Sequence, residues 1–394
     1  MGTEMVSGAA HSGGNGPVSA SPWDAVHHFV PAVYPSDGVG GHVLRSRDAQ
    51  RRRGRRSEVF VESSHPATSH LTRPWGEYEA RRGPGRVVNV YHMATGSPLA
   101  DFVAARPEPM ILHHHNLTPL ELLAPWDPDI IPDLAEARRQ LENLAGRVDI
   151  GVGVSEFNRL ELEKLGYSPT AVAPVMIDAR LSGHHRGHGR SHPGPPTMLF
   201  VGRVAPNKAQ HDLIKVVAAA RRSSDPAVRN LRLRLVGQDS FPRYRRSLDR
   251  LTRSLGVAGA VSFAGTVDDE ALAREYTEAD VFVCLSRHEG FAMPLLEAMA
   301  AGLPVVALDA GAVPETTGGA ALVLPRSSPD LVATAVGRVL SDRHLARRMI
   351  EAGRNRLTAL GPDAAESAFE KVLSRLAGET TDGPPTAVTA GSSP

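Results

Sequence analysis

The sequence has little that would indicate a secreted, membrane-spanning or nucleic-acid-binding protein. It contains one cysteine in 394 residues, Cys284, so a disulfide framework within the chain is excluded and we expect a reducing, cytoplasmic location. No run of about 18 apolar residues occurs, and residues 1–21 lack the basic-then-apolar pattern of a signal peptide, so we expect neither a membrane span nor a leader. The formal net charge of +1 supplies no bulk attraction for nucleic acid.

What is present is ordinary for a globular protein of two domains. Hydrophobic residues make up 41% and charged residues 22% of a chain that is too long for a single core. Segments rich in Gly, Ser and Pro divide it. We predict a disordered tail (1–21), a first domain (22–180), a linker with four histidines (181–196), a second domain (197–363), a terminal helix that crosses back to the first domain (364–378) and a second disordered tail (379–394).

Short apolar runs and helical patterns alternate through both halves. Such alternation predicts an α/β fold in which a parallel sheet is covered by helices on both faces. The predicted strands cover 25–33, 57–62, 86–91, 110–115 and 149–154, and then 197–201, 231–236, 261–263, 281–285, 304–307 and 321–324. The predicted helices cover 42–53, 98–105, 132–144, 155–165, 212–221, 244–255, 269–276 and 364–376.

The most informative stretch contains two glutamates, Glu289 and Glu297, around a predicted helix start. Pro294 suits the first turn of a helix and Gly302 suits the residue past its end. Backbone N–H groups of residues 290–293 would therefore lie at the positive end of the helix, which is a ready anion site. Two carboxylates around an anion site fit a ligand that carries both phosphate and hydroxyl groups, such as a nucleotide sugar.

A second signal joins Arg203 and Lys208 to the end of the strand at 197–201. Cations at a helix N-terminus oppose the helix dipole at a cost of about 0.3–1 kcal/mol each. A diphosphate bound by both side chains would offset that cost, and Arg203 can form paired hydrogen bonds to two oxygens. The alternative is that both are solvated surface cations.

Two further signals lie in the first half. In the Gly-rich turn after the first strand, Gly38 would let the backbone approach a phosphate, although a mere tight turn has the same pattern. In the strand at 110–115, the alternation of side chains places His113 and His115 on one face and His114 on the other. Packed histidines without a role, and a metal site, are the alternatives to an active-site histidine.

These motifs together resemble the Glu-x7-Glu, Gly-Arg-x4-Lys, Gly-rich and His-Asn-x-Thr-Pro motifs of retaining glycosyltransferase family 4. That family has the GT-B fold, in which two Rossmann-like doubly wound domains face each other across a cleft. The resemblance departs from the family pattern at Asp37, where a glycine is usual, and at 207–209, where Asn-Lys-Ala replaces Glu-Lys-Gly.

The resemblance implies the following roles. The catalytic residues are His115 and Glu289, and the donor-binding residues are Gly38, Arg203, Lys208, Gly290, Phe291, Ala292 and Glu297. The acceptor candidates are His92, from its position at the cleft edge, and Asn116. Glu289 faces the donor sugar and Glu297 accepts hydrogen bonds from the ribose. No metal and no cofactor is expected, because Arg203, Lys208 and the helix dipole neutralise the diphosphate.

The implied reaction is transfer of a sugar, with retention, from a UDP- or GDP-linked donor to a small hydrophilic acceptor in natural-product or cell-envelope glycoconjugate biosynthesis. A nucleotide-sugar epimerase or hydrolase, and a non-catalytic sugar-nucleotide binding protein, are the alternatives. Among partners we expect no nucleic acid, a possible homodimer, and at most peripheral membrane contact through the seven arginines between Arg45 and Arg56. The Asp-x-Asp spacing at Asp127 and Asp129 is attributed to chance.

Overall fold

The computed structural model describes residues 22–35, 37–177 and 194–378, which form two α/β domains. The predicted tails at 1–21 and 379–394 and most of the predicted linker, including its histidines, lie outside the described residues. No helix in the described part of the chain is both long enough and apolar enough to cross a membrane.

The first domain is built on a seven-stranded, all-parallel sheet in the order β3-β2-β1-β4-β5-β6-β7. Its strands are β1 (Ala25–Val30), β2 (Val59–Val61), β3 (Arg73–Pro74), β4 (Val87–Met93), β5 (Met110–His114), β6 (Ile150–Gly153) and β7 (Thr170–Val172). Its helices are α1 (Gly38–Arg52), α2 (Tyr78–Arg81), α3 (Leu99–Ala104), α4 (Leu120–Leu123), α5 (Ile131–Asn143) and α6 (Glu156–Lys164). Most of these strands are buried along their whole length, as expected when helices cover both faces.

The second domain repeats the design with six parallel strands in the order β10-β9-β8-β11-β12-β13. Its strands are β8 (Thr197–Val201), β9 (Arg232–Val236), β10 (Val261–Gly265), β11 (Val281–Cys284), β12 (Val305–Leu308) and β13 (Leu322–Leu324). Its helices are α7 (Gln210–Arg222), α8 (Pro242–Ser254), α9 (Asp269–Glu278), α10 (Met293–Ala300), α11 (Val313–Thr317), α12 (Pro329–Ser341) and α13 (Arg343–Leu360), after which α14 (Pro362–Leu376) ends the described chain.

The strand order reverses direction once in each sheet, between β1 and β4 and between β8 and β11. At such a switch point the loops at the carboxyl ends of the strands splay apart and leave a crevice for ligand. The loops that follow β1, β5, β8 and β11 carry the predicted site residues. The topology therefore places the predicted motifs of each domain at one edge of its sheet.

The last helix, α14, returns to the first domain. Its Phe369 and Leu373 pack with Trp23 and Val26 in the first-domain core, and the Trp23 indole N–H donates to the Leu373 carbonyl (2.9 Å). The helix begins at Pro362, which suits a first turn, two residues before its predicted start.

The Arg-rich segment of α1 is paired within the chain rather than presented as a free basic face. Arg52 and Arg53 form ion pairs with Glu366 (2.9 Å each), and Arg55 pairs with the neighbouring Glu370 (2.8 Å), so three of the cations meet carboxylates of α14. Other arginines of the segment bind backbone carbonyls, as Arg45 binds that of Met176 (2.8 Å) and Arg47 that of Leu71 (2.7 Å).

Two predicted boundaries are wrong for local reasons. The first strand ends at Val30 rather than at 33, because Pro31 has no N–H to donate to a ladder. The first helix begins at Gly38 rather than at 42, because the Asp37 carboxylate accepts the N–H groups of Val39 (3.3 Å) and Gly40 (2.9 Å) and caps it. The departure from the family pattern at Asp37 is thus a helix cap. Helices α12 and α13 were not individually predicted.

Candidate active site

The second-domain edge of the cleft brings the two strongest motifs into direct contact. Lys208 ends a 3-10 turn (Pro206–Lys208) after β8, and Glu289 lies in the loop after β11. The Lys208 ammonium lies 2.7 Å from a Glu289 carboxylate oxygen, and Glu289 is only 8% exposed. A buried carboxylate needs such a partner, because its desolvation is otherwise uncompensated. Two residues 81 positions apart therefore form one charged unit at the cleft.

The loop between Glu289 and α10 has the form of an anion site. Gly290, Phe291 and Ala292 are buried, and Pro294 occupies the first turn of α10, as predicted. Ala292 has a left-handed backbone (φ 61°), a conformation that costs a non-glycine residue free energy and is often retained at functional sites. This turn directs the N-terminal N–H groups of an eight-residue helix into the cleft.

Glu297 lies one turn inside α10, and its orientation is fixed by a residue that the sequence motifs did not identify. The Tyr276 hydroxyl, at the end of α9, donates to a Glu297 oxygen (2.6 Å). Burial, together with the negative charge of Glu297, raises the pKa of Tyr276 well above its usual value, so the phenol stays a donor. The only sequence signal for Tyr276 was its place in the amphipathic pattern of a helix, which indicates a core residue.

The first-domain edge carries histidines where the second carries charges. His115, the residue after β5, has its Nε2 2.9 Å from Nδ1 of His92 on β4, and His92 Nε2 lies 3.0 Å from Nδ1 of His28 on β1. His113 lies on the same face of β5 as His115, whereas His114 points to the other face and contacts Glu161 (3.0 Å), as strand alternation predicts. The predicted catalytic His115 and the predicted acceptor residue His92 are therefore neighbours.

Burial sets the charge of these rings. It lowers the pKa of His28 to about 3 and that of His113 to about 4, and it lowers the pKa of His92 and His115 well below the usual value, with neighbouring histidines adding to the effect. The group is consequently neutral at pH 7.

Helix α1 brings its N-terminus to the cleft opposite α10. A Cβ atom on Gly38 would overlap the terminal methyl group of Met293, the first residue of α10, so the two helix starts face each other closely. Burial raises the pKa of Asp37, and hydrogen bonds from Gly40 and Val39 and the charge of Arg203 offset part of that rise. Arg203 itself is exposed on the second-domain side.

Contacts between the domains hold the Glu289 loop against the first domain. The side-chain amide oxygen (Oδ1) of Asn116 lies 3.0 Å from His288 Nε2, and a Cβ on Gly290 would overlap the Asn116 side chain. The Ser155 hydroxyl donates to the Gly290 carbonyl (2.7 Å). The predicted acceptor residue Asn116 thus lies on the interdomain contact, next to the predicted donor-binding turn.

The remaining acidic candidates lie apart from these groups. Asp127 and Asp129 flank Pro128 in a 3-10 turn, and in the described structure they do not come together with the histidines or with Lys208.

A separate pocket of about 460 Å³ follows β2 and β4 in the first domain. It is lined by Thr95, Gly96, Ser97, Pro98 and Gln140 and by the carboxylates of Glu62, Asp101, Asp133 and Glu136.

Comparison with known proteins accounts for the second-domain edge. Residues 184–356 match the family profile described as glycosyl transferases group 1. The second domain is similar to the group 1 glycosyl transferases. The matched segment contains Arg203, Lys208, Glu289 and Glu297, so the family resemblance predicted from these motifs is confirmed.

Two curated relatives carry related names. A GDP-mannose-dependent alpha-(1-6)-phosphatidylinositol monomannoside mannosyltransferase of Mycobacterium tuberculosis is 37% identical over 173 residues, which are 42% of this chain and 43% of that protein. A D-inositol 3-phosphate glycosyltransferase 2 of Catenulispora acidiphila is 32% identical over 235 residues, 58% of this chain and 52% of that protein. The matches thus span about half the length of these relatives.

Solved structures extend the likeness to both domains. Sucrose-phosphate synthase of Thermosynechococcus elongatus superposes with a TM-score of 0.72 at 20% identity and covers 91% of this chain and 100% of that one. Anabaena HepE in complex with UDP and glucose superposes with a TM-score of 0.67 at 15% identity and covers 89% and 99%. The predicted GT-B fold is confirmed.

Proposed function

We propose that this chain is a retaining glycosyltransferase that moves a sugar from a UDP- or GDP-linked donor to a small hydrophilic acceptor. The observation that carries the proposal is the Lys208–Glu289 pair beside the N-terminus of α10, opposite the neutral His115. That arrangement offers positive charge for a diphosphate, a carboxylate for sugar hydroxyls and an uncharged facing wall.

The donor nucleotide is assigned to the second domain. Arg203, Lys208 and the N–H groups at 290–292 would bind the diphosphate, and they would stabilise the negative charge that develops as it leaves. Glu297, already oriented by Tyr276, would accept hydrogen bonds from the ribose hydroxyls. The Mycobacterium tuberculosis relative is named as GDP-mannose-dependent and HepE was solved with UDP, which supports testing both bases first.

The transferred sugar is assigned to the gap between Glu289 and His115. Glu289 would leave Lys208 partly and bind sugar hydroxyls once the diphosphate takes over the ammonium. The acceptor oxygen would attack the anomeric carbon from the face that the diphosphate leaves, so that the C–O bond to phosphate breaks as the new bond forms. The departing phosphate oxygen would receive the acceptor proton, which balances the step without a further base.

The acceptor is assigned to the first domain. The polar pocket after β2 and β4 has four carboxylates, so its field disfavours a phosphorylated acceptor and favours a neutral or amine-bearing one. The name of the Catenulispora acidiphila relative specifies an inositol phosphate, and the pocket argues that this chain uses a different acceptor.

Thermal shift with UDP, GDP, ADP and dTDP, followed by turnover of the matching sugar donors against polyol, amine and phosphorylated acceptors, tests the proposal. We expect stabilisation by UDP or GDP and an α-linked product from an α-linked donor. Donor turnover without an acceptor would instead identify an epimerase or hydrolase, and binding without turnover a non-catalytic protein. A β-linked product would contradict retention.

Paired carboxylate variants assign the roles within the site. Glu289→Gln should lower kcat with little change in the nucleotide Kd, whereas Glu297→Gln should weaken nucleotide binding with a smaller effect on kcat. Glu351→Gln, an exposed carboxylate on α13, is the matched control. Calorimetry with the nucleoside diphosphate and steady-state kinetics measure the two quantities. Equal effects of both variants on binding and turnover would contradict the assignment.

A further inference from the structure

Four imidazole rings surround one point behind the first-domain wall of the cleft. His42 comes from α1, His92 from β4, and His113 and His115 from β5 and the residue after it. The ring centroids of all six pairs lie between 4.8 and 5.5 Å apart. Four points that are nearly equidistant from one another can only stand at the corners of a tetrahedron.

That spacing is the one a tetrahedral metal ion imposes. A Zn–N bond of about 2.0–2.1 Å puts each ring centroid about 3.2 Å from the ion, and tetrahedrally arranged centroids are then about 5.2 Å apart. One ring nitrogen from each histidine also lies within 4.8 Å of the others. The rings of His92, His113 and His115 therefore match the positions of three metal ligands, whereas the equally close His42 ring would have to withdraw to admit an oxygen between it and the ion.

The outer ring nitrogens are held as they are in metal sites. His113 donates from Nε2 to the Ala173 carbonyl (3.0 Å), so its Nδ1 is unprotonated, and this buried Nδ1 has no partner among the described residues. His92 has its Nε2 3.0 Å from His28 Nδ1. Donation to a backbone carbonyl or another outer group fixes the tautomer that presents a lone pair to an ion.

His42 differs from the other three. The Met176 backbone N–H donates to its Nδ1 (3.0 Å), so a neutral His42 carries its proton on Nε2 and cannot ligate through that atom. This Nε2–H is fully buried and lacks a hydrogen-bond partner in the described part of the chain. It is a buried donor beside the other three rings, and its burial would be compensated by an acceptor there.

We propose that His92 through Nδ1, His113 through Nδ1 and His115 through Nε2 bind one divalent cation of the zinc class, with a fourth position for an oxygen ligand that receives a hydrogen bond from His42. Three neutral imidazoles leave the charge of the ion unbalanced, which favours an anionic oxygen such as hydroxide or phosphate in that position. His115 is the least buried of the three and faces the cleft, which gives the ion a route in.

The proposed ion is distinct from the diphosphate site at Arg203 and Lys208, and it does not depend on the proposed transferase function. The metal-independent binding of the diphosphate stays a separate prediction.

The test measures metal bound to the full chain expressed without a polyhistidine tag. Protein is stripped with a chelator, loaded with Zn²⁺, passed over a desalting column and assayed for metal by mass spectrometry. Because His184, His185, His188 and His192 can bind metal adventitiously, a variant with all four replaced by Ser is measured in parallel. His113→Asn removes a proposed ligand, and His114→Asn is the matched control on the same strand.

We expect about one ion per chain in the unaltered protein, the four-serine variant and His114→Asn, and at least a tenfold loss in His113→Asn. Loss in the four-serine variant, or only traces in the unaltered protein, would overturn the proposal and leave an ordinary buried water between the rings. If His113→Asn does not fold, the visible spectrum of the Co²⁺-loaded unaltered protein decides. Intense bands of four-coordinate Co²⁺ support the site, and the weak bands of six-coordinate Co²⁺ contradict it.

Discussion

The two edges of the cleft are built alike and charged differently. Each is the carboxyl edge of a parallel sheet beside a switch point, and each presents a helix N-terminus, α1 on one side and α10 on the other. The second-domain edge contains the Lys208–Glu289 ion pair and the exposed Arg203. The first-domain edge contains His28, His92, His113 and His115, which burial keeps neutral.

This difference indicates how the ligand is divided between the domains. A diphosphate needs countercharge, and of the described side chains assigned to the two edges, the cationic ones, Arg203 and Lys208, lie on the second. A sugar and its acceptor offer hydroxyl groups, which the partly exposed neutral ring of His115 can bind as donor or acceptor without the desolvation cost of a buried charge. The group with the greatest charge should therefore bind where sequence similarity to group 1 glycosyl transferases is found, and the polar, uncharged groups should bind opposite.

The strongest way to break this division is Lys208→Ala. It removes the cation assigned to the diphosphate and leaves Glu289, which is 8% exposed, without its partner. We expect kcat/KM to fall about 10²–10³-fold, the loss found when one stabilising donor is removed from a transition state. Lys215→Ala, whose ammonium pairs with Asp212 on α7 at 3.0 Å and is half-exposed, is the control. A loss below about fivefold in Lys208→Ala would contradict the assignment.

The matching change on the neutral edge is His115→Ala. It removes the ring that contacts His92 and faces the donor site, and it changes no side-chain charge. We expect kcat to fall about 10–100-fold, since one positioned hydrogen-bonding group is lost, while the nucleotide Kd changes little. Kinetics and calorimetry on the same preparation measure both. If the nucleotide Kd rises as much as kcat falls, the first-domain edge also binds the nucleotide. The assignment of the nucleotide to the second domain alone would then be wrong.

The sequence predicted the residues of the charged, second-domain edge better than those of the neutral, first-domain edge. Glu289, Glu297 and Lys208 lie in motifs with fixed spacing near helix starts, so local rules were enough to group them. His28 and His42 come from β1 and α1, and only the strand order brings them beside His113 and His115. Sequence alternation gave the shared face of His113 and His115, but no local pattern encodes which side chains of neighbouring strands meet.

The same limit applies to one contact within the second domain and to one that joins the domains. Tyr276 binds Glu297, which lies 21 positions away. Glu315 binds the backbone of Glu156 and Phe157, which lie 159 and 158 positions away. Their sequence contexts are an ordinary amphipathic helix and an ordinary exposed helix start. Their roles depend on tertiary geometry, which no spacing rule supplies.

A third test concerns the approach of the two edges. Gly290 has no left-handed strain, but a Cβ there would overlap the Asn116 side chain across the cleft. Gly290→Ala should therefore hold the domains apart and lower kcat/KM about tenfold, with each domain still folded. Asn116 has φ 81°, so Asn116→Gly is compatible with its backbone, and the double variant should regain closure.

Small-angle scattering with and without nucleotide measures closure in these variants. The control is the single variant Asn116→Gly, which tests whether loss of the hydrogen bond to His288 alone has an effect. If Gly290→Ala closes normally, or if the double variant is as open as Gly290→Ala, steric contact at this point does not govern the approach.

The smallest expected effect comes from a carboxylate of the second domain that caps a helix of the first. Glu315 on α11 accepts the backbone N–H groups of Glu156 (2.6 Å) and Phe157 (3.1 Å) at the start of α6. The position of Glu315 is fixed in turn, because Arg356 on α13 binds the Glu315 and Thr316 carbonyls.

A negative charge at a helix N-terminus contributes about 0.3–1 kcal/mol, and Glu315→Gln loses the charge but keeps one acceptor oxygen. The donor KM should therefore rise only about two- to fivefold, the factor to which that energy corresponds, with an unchanged kcat. Glu156→Gln separates closure from helix stability, because Glu156 lies in the first turn of the same helix but pairs with Arg159 inside the first domain. A rise in KM in Glu156→Gln equal to that in Glu315→Gln would assign the effect to α6 itself, and the charged edge would then act on the neutral one through the Glu289 loop alone.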